Sequence, residues 1–213
     1  LGPDHLDTLQ SLNDQGGILV AHDHGAEAEP LLRRAYEGRR TQLGDDHADT
    51  ISTLSSFATA VWKAGRLDEA EALLRRLLAV RTAAAGADDP RTILVQNNLG
   101  SVLQAQDRFE EAAAVFEQAP AAQLRVQSAR HPDTLKALNN LATVYQELDQ
   151  PERAVPLLEQ ALATKRELLP AGHPSLLIGM NNLAGAWSKI GRREAALALY
   201  DEAIAMSREH LGE

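Results

Sequence analysis

Cysteine is absent from the 213 residues of the chain, so neither a disulfide nor a thiolate metal site can hold it together. That absence fits a reducing compartment, and a cytoplasmic location is expected. Aromatic residues make up only 4% of the chain, which leaves a β-rich core without its usual material. No apolar run approaches the roughly 18 residues of a membrane span. The opening LGPDHLDTLQ has neither the charged n-region nor the apolar h-region of a secretory signal, and it lacks a starting methionine, as a fragment or processed segment would. Basic residues are outnumbered, 21 Lys and Arg against 30 Asp and Glu, for a net charge of -9. Phosphate binding needs clustered cations, so no nucleic-acid partner is expected, and no membrane partner either.

Catalytic signatures are also missing. There is no G-x-S-x-G, H-E-x-x-H, P-loop or G-x-G-x-x-G motif. His22 and His24 could chelate a transition metal weakly with Asp23, but two loop imidazoles without a further ligand read as solvent-exposed. No catalytic residue, metal or cofactor is expected.

What the chain does have is Ala and Leu in a helical rhythm, and a period. The segments LGPDHLDTL from Leu1, LGDDHADTI from Leu43, AGADDPRTI from Ala85, QSARHPDTL from Gln127 and LPAGHPSLL from Leu169 start 42 residues apart. One array of five repeats is expected, 1–42, 43–84, 85–126, 127–168 and 169–210, with 211–213 opening a sixth. His5, His47, His131 and His173 share position 5, so repetition explains them as helix-entry residues. Within a repeat, apolar residues at positions 9, 12, 15, 16, 19 and 22 form one helical face, as in Leu135, Leu138, Leu141, Ala142, Tyr145 and Leu148. This is helix A, expected from about position 6 to 22. A second run, Ala70, Leu73, Leu74 and Leu77, marks helix B. Breakers such as KAGRLDE separate the two, and Pro90, Pro132 and Pro174 suit the first turn of a following helix A. Acids gather at helix starts, whereas Arg33, Arg34, Arg39, Arg40, Arg75, Arg76 and Arg81 stand near helix ends, complementing the helix dipoles. One hairpin cannot bury both of its apolar faces, so the repeats must stack into an all-α solenoid. Pro120 inside the third helix B should kink it or end it early.

The pattern Leu138-x2-Leu141-Ala142-x2-Tyr145, followed by Ala154-x3-Leu158-x2-Ala161, resembles the tetratricopeptide signature. The phrases NNLA, EAEPLLRRA and R..LG within a longer unit are similar to the 42-residue variety of kinesin light chains. That resemblance implies a right-handed superhelix whose helices A line a concave surface that holds an extended peptide. It also implies that asparagines at position 13 clamp the peptide backbone. Asn13, Asn97, Asn139 and Asn181 occupy that position, and Ser55 replaces the asparagine in the second repeat. A carboxamide donates and accepts, which suits such a clamp. The alternative, that these side chains bridge to the neighbouring repeat and set its pitch, stays open.

Positions 10, 17, 20 and 24 share the stripe and carry no acid; among them are Lys136, Thr143, Gln146, Ser101, Gln104, Trp62, Arg66, Arg108 and Arg192. A neutral-to-basic groove in an acidic protein would favour an acidic peptide, although an arginine at position 24 can equally face solvent from the A–B turn. Trp62 is either a groove anchor or an indole lodged between repeats; Trp187 reads as core. The expected function is a scaffold or adaptor binding an acidic protein or peptide segment. The alternative is a regulatory or self-association segment of a larger signalling ATPase or protease, with self-association through uncapped ends.

Overall fold

The computed structural model describes residues 2, 4–118 and 132–211. The described residues form ten α-helices and no strand. They are α1 (Leu6–Ala21), α2 (Gly25–Leu43), α3 (Ala48–Lys63), α4 (Leu67–Ala85), α5 (Pro90–Ala105), α6 (Phe109–Phe116), α7 (Pro132–Glu147), α8 (Pro151–Leu168), α9 (Pro174–Lys189) and α10 (Arg193–Leu211). The odd-numbered helices are the five helices A, and each occupies positions 6 to 21 of its repeat. Each helix B begins at position 25. The 42-residue register is therefore a structural one. Pro120 lies outside the described residues.

Two compact units divide the chain, Leu1–Asp107 and Arg108–Glu213. In the first, α1 packs on α2, α2 on α3, α3 on α4 and α4 on α5, and α1 also touches α3. In the second, α6 packs on α7, α7 on α8, α8 on α9 and α9 on α10. The core repeats with the sequence. Position 28 is Ala28, Ala70, Ala112, Ala154 and Ala196, none more than 2% exposed, because a small residue there lets helices A and B approach. Position 16 is equally small, and a Cβ on Gly16 would sit 2.5 Å from Leu32 Cγ.

Both kinds of turn have a local cause. Position 23 adopts a positive φ in all five repeats, as Asp23, Gly65, Asp107, Asp149 and Gly191; aspartate and glycine tolerate the left-handed region that ends helix A there. At helix A starts, the Nδ1 atoms of His5, His47 and His173 accept the backbone N–H groups of Asp7, Asp49 and Ser175 at 3.2, 3.2 and 3.1 Å. In the third repeat the cap is Asp89, which accepts from both Arg91 N and Thr92 N. The histidines are thus N-caps. Replacing His47 by Ala is expected to cost about 1 kcal/mol, and His47→Asp to recover that and more, since Asp89 shows a carboxylate satisfying two donors; urea unfolding of the two variants checks the order.

Candidate functional site

Helix A stripes carry the residues that the sequence singles out, and the structure treats them unequally. Asn97 is buried, 4% exposed, and its Oδ1 has no hydrogen-bond partner. Asn13 is half-buried with its Oδ1 likewise unpartnered, while its Nδ2 donates to Asp14 at 3.3 Å. Asn139 is half-buried and donates Nδ2 to Leu135 O, 2.7 Å away on its own helix, and Asn181 is exposed. Ser55, Trp62, Gln104, Thr143 and Gln146 are all half-buried, and Lys136 is exposed. Thr143 bonds back to Asn139 O at 3.0 Å, and Gln146 Nε2 reaches Asn182 O at 3.5 Å. An open carboxamide therefore exists at Asn181 and in part at Asn139, but not at Asn97.

The basic character expected at position 24 needs correcting. Arg66 pairs with Glu69 at 2.5 Å and with Glu29 at 3.3 Å. Arg108 pairs with Glu111 at 2.7 Å, and Arg192 with Glu159 at 3.4 Å. Each guanidinium faces acids on helix B, so these charges are largely neutralised within the fold. Trp187, read as core, is half-buried and donates its indole N–H to Glu159 Oε1 at 3.1 Å. Tyr145, one repeat earlier, donates its hydroxyl to Glu117 at 2.9 Å and lies 4.1 Å beneath the Arg153 guanidinium. Burial, then the Glu117 hydrogen bond, pushes that phenol up from its ordinary value.

The cations that do shape the helix A surface stand at position 39 of helix B. Arg39 is 4% exposed, and Lys165 is 7% exposed. Arg39 Nη1 donates to Thr53 Oγ1 at 2.6 Å and to Asp49 O at 3.3 Å, and Nη2 to Gln10 Oε1. Lys165 Nζ donates to Ser175 O at 3.2 Å. Next to two of these cations a cavity opens on helix A. In the second compact unit it has a volume of about 320 Å³ and is lined by Leu135, Lys136, Asn139, Lys165 and Ser175 among others. In the first it measures about 470 Å³, beside Ser52, Ser55, Arg81, Arg91 and Asn98. Positions 6, 9, 10, 13 and 39, with position 7 of the following repeat, line both cavities.

Position 39 was legible only as a basic residue near a helix end. A local rule assigns such a residue to the dipole, whereas its burial depends on the next repeat lying over it. The signal was its recurrence as Arg39, Arg81 and Lys165.

Burial holds the Lys165 ammonium below the ordinary lysine value of 10.5. The native state then binds fewer protons than the unfolded chain between the two values, so stability rises as pH climbs from the folded value to the ordinary one. Lys165→Met is expected to abolish that alkaline gain, which urea midpoints measured from neutral pH upward will show; an unchanged slope would place the titration elsewhere.

Tetratricopeptide repeat models match residues 23–83, 49–123, 91–167 and 133–209, which together run through most of the chain. The chain belongs to the tetratricopeptide repeat family. Among solved structures, a Podosopora anserina chain described as having nearly identical, kinesin light chain TPR-like repeats shares 27% identity with this tetratricopeptide array. It covers 96% of this chain and 97% of its own, with a TM-score of 0.84. BtubC (BKLC) from P. vanneervenii superposes with a TM-score of 0.82 at 19% identity over 98% of this chain and 83% of its own. MamA from Desulfovibrio magneticus RS-1 gives 0.71 at 15% identity, over 95% and 96%. The last two likenesses are of fold alone. No curated protein sequence matches the chain significantly. The fold is the all-α helical repeat fold of kinesin light chain-like tetratricopeptide proteins, and such repeats generally mediate protein–protein interaction. No helix of the described residues is long and apolar enough to cross a membrane.

Proposed function

We propose that this tetratricopeptide array is a non-enzymatic scaffold that binds an acidic segment of a protein partner on its helix A surface. The observation that carries the reading is the pair of cavities beside position-39 cations, each opening onto a position-13 residue, Ser55 in one and Asn139 in the other. Lys165, buried and bonded to Ser175 O at 3.2 Å, is held in place before any ligand arrives, which lowers the ordering cost of binding. A carboxamide or hydroxyl beside each cation can bond a peptide backbone without reading its sequence. The exposed Lys136, on the rim of the second cavity, adds an unburied charge. This reading moves the charge that attracts the partner from position 24 to positions 39 and 10, because Arg66, Arg108 and Arg192 already face acids of the fold.

The test is a peptide array in which each acidic peptide is printed beside its Asn or Gln counterpart. The reading expects capture of the acidic member and loss of capture as salt rises, since exposed charges are screened over about 8 Å at physiological ionic strength. Equal capture of both members would sink it.

A further inference from the structure

Helix α8 packs on both α7 and α9, whereas α10 has α9 on one side of it. The consequence is visible at repeat positions 29, 32 and 36. In α8 these are Val155, Leu158 and Leu162, all buried. In α10 they are Leu197, 64% exposed, Tyr200, half-buried, and Ile204, 49% exposed. Leu197 and Ile204 lie two turns apart on one stripe. The face that is closed in the fourth repeat is therefore kept apolar in the fifth and left in water. Such a face in a repeat array calls for either a polar cap or a partner.

Helix α1 shows what a capped face looks like. Position 15 is Phe57, Leu99, Leu141 and Leu183 in the later repeats, all buried, but an exposed Gln15 in the first. Position 18 is Ala60, Val102, Val144 and Ala186, all buried, but Ile18 in the first. A glutamine where the stack uses a large apolar residue, and an isoleucine where it uses a smaller one, spoil α1 as a continuation of the stack. They work against a head-to-tail contact between α10 of one molecule and α1 of another.

We propose that the exposed face of α10 is a homotypic docking surface, on which α10 of a second copy of this chain packs antiparallel about a two-fold axis. The charges on the helix select this occupant. Glu194 and Asp201 flank Leu197 and Ile204 on one side, and Arg208 ends the same stripe, all three exposed. Antiparallel pairing sets Leu197 of one copy against the partner's Ile204 and brings Glu194 to the partner's Arg208. Within one α10 the Glu194 and Arg208 backbones are about 21 Å apart, too far to pair. The same axis brings the two Asp201 carboxylates together, a like-charge contact that only self-pairing creates. The surface belongs to a helix B, so it is separate from the helix A cavities and does not depend on the proposed function. A single helix pair is smaller than the standard interface of roughly 1,600 Å², so the dimer is a weak and concentration-dependent one.

Sedimentation equilibrium of the whole chain tests this, with circular dichroism confirming the helical signal of each variant. A monomer–dimer equilibrium with no larger species is expected. Leu197→Asp should weaken the dimer at least about tenfold without loss of helix, since Leu197 is exposed in the single chain. Glu194→Arg should weaken it, the E194R/R208E double variant should restore it, and Asp201→Asn should tighten it. A chain that stays monomeric up to about 1 mM overturns the proposal. Growth beyond the dimer overturns it in favour of open head-to-tail stacking. A dimer unmoved by Leu197→Asp overturns the assignment to α10, and one that E194R/R208E does not restore overturns the antiparallel pairing. Binding of a synthetic peptide spanning α9, Pro174–Lys189, to a chain that does not dimerise would give the face to a further helix A instead.

Discussion

Phe116→Ala is expected to destabilise the second compact unit by about 3–5 kcal/mol. Phe116 is fully buried and heads the largest such side chains among the described residues. It stands at position 32 of the repeat, where Leu32, Leu74 and Leu158 are also buried. Truncation removes the transfer energy of the ring and leaves a cavity that only partial collapse can close. Against a total stability of about 5–15 kcal/mol for a domain, that is a large share, and a solenoid stabilised by nearest neighbours has no distant contacts to share the loss. Urea unfolding followed by helical circular dichroism should show an early transition for Phe116→Ala, with Phe116→Leu much milder because three other repeats use leucine there. A loss under about 1 kcal/mol would mean that the third helix B contributes little packing.

Ala154→Leu should cost about 2–3 kcal/mol by the opposite mechanism, overpacking. Ala154 has no exposed surface, and its four counterparts at position 28 are alanines at most 2% exposed. Three added carbons in a closed helix–helix contact must force off-rotamer side chains or part α8 from its neighbours. Melting of the variant checks this, and Ala154→Ser, nearly the same size, serves as the mild control. If leucine is tolerated at no cost, the five alanines are not what sets the A–B spacing.

The register of the array was readable because repetition averages over local ambiguity. Helix A was expected from about position 6 to 22 and runs from 6 to 21 in every repeat. The turns were readable from KAGRLDE and from Pro90, Pro132 and Pro174, because glycine and proline act through local backbone sterics. The histidine caps could be placed at helix entries but not given a role, since which ring nitrogen meets which N–H is a matter of coordinates.

The site was readable in outline only. Asn97, Asn139 and Asn181 occupy one repeat position yet are buried, half-buried and exposed, because burial is decided by what surrounds each helix A and not by the helix itself. The pairing of Arg66 with Glu69 and of Arg108 with Glu111 was present as i,i+3 spacing, but the acids lie on helix B, outside the helix A stripe that carries no acid. Arg81 was least readable of all. Its Nε is buried without a hydrogen-bond partner, a condition set by the helices that enclose it and invisible until the repeats are stacked.

The central claim is that the helix A surface holds an acidic segment through Asn139, with Lys136 and Lys165 beside it, and through the exposed Asn181. It is met most directly by the fluorescence anisotropy of a labelled Glu-rich peptide, with its Gln-rich counterpart as reference, on wild type and on the N139A/N181A variant. The account predicts that wild type prefers the Glu peptide, that added salt weakens this binding, and that the double variant keeps its helical signal while losing several-fold in affinity. Equal binding of both peptides, or a folded double variant that binds the Glu peptide as wild type does, would contradict it. A double variant that loses its melting cooperativity would show the asparagines to be staples between repeats.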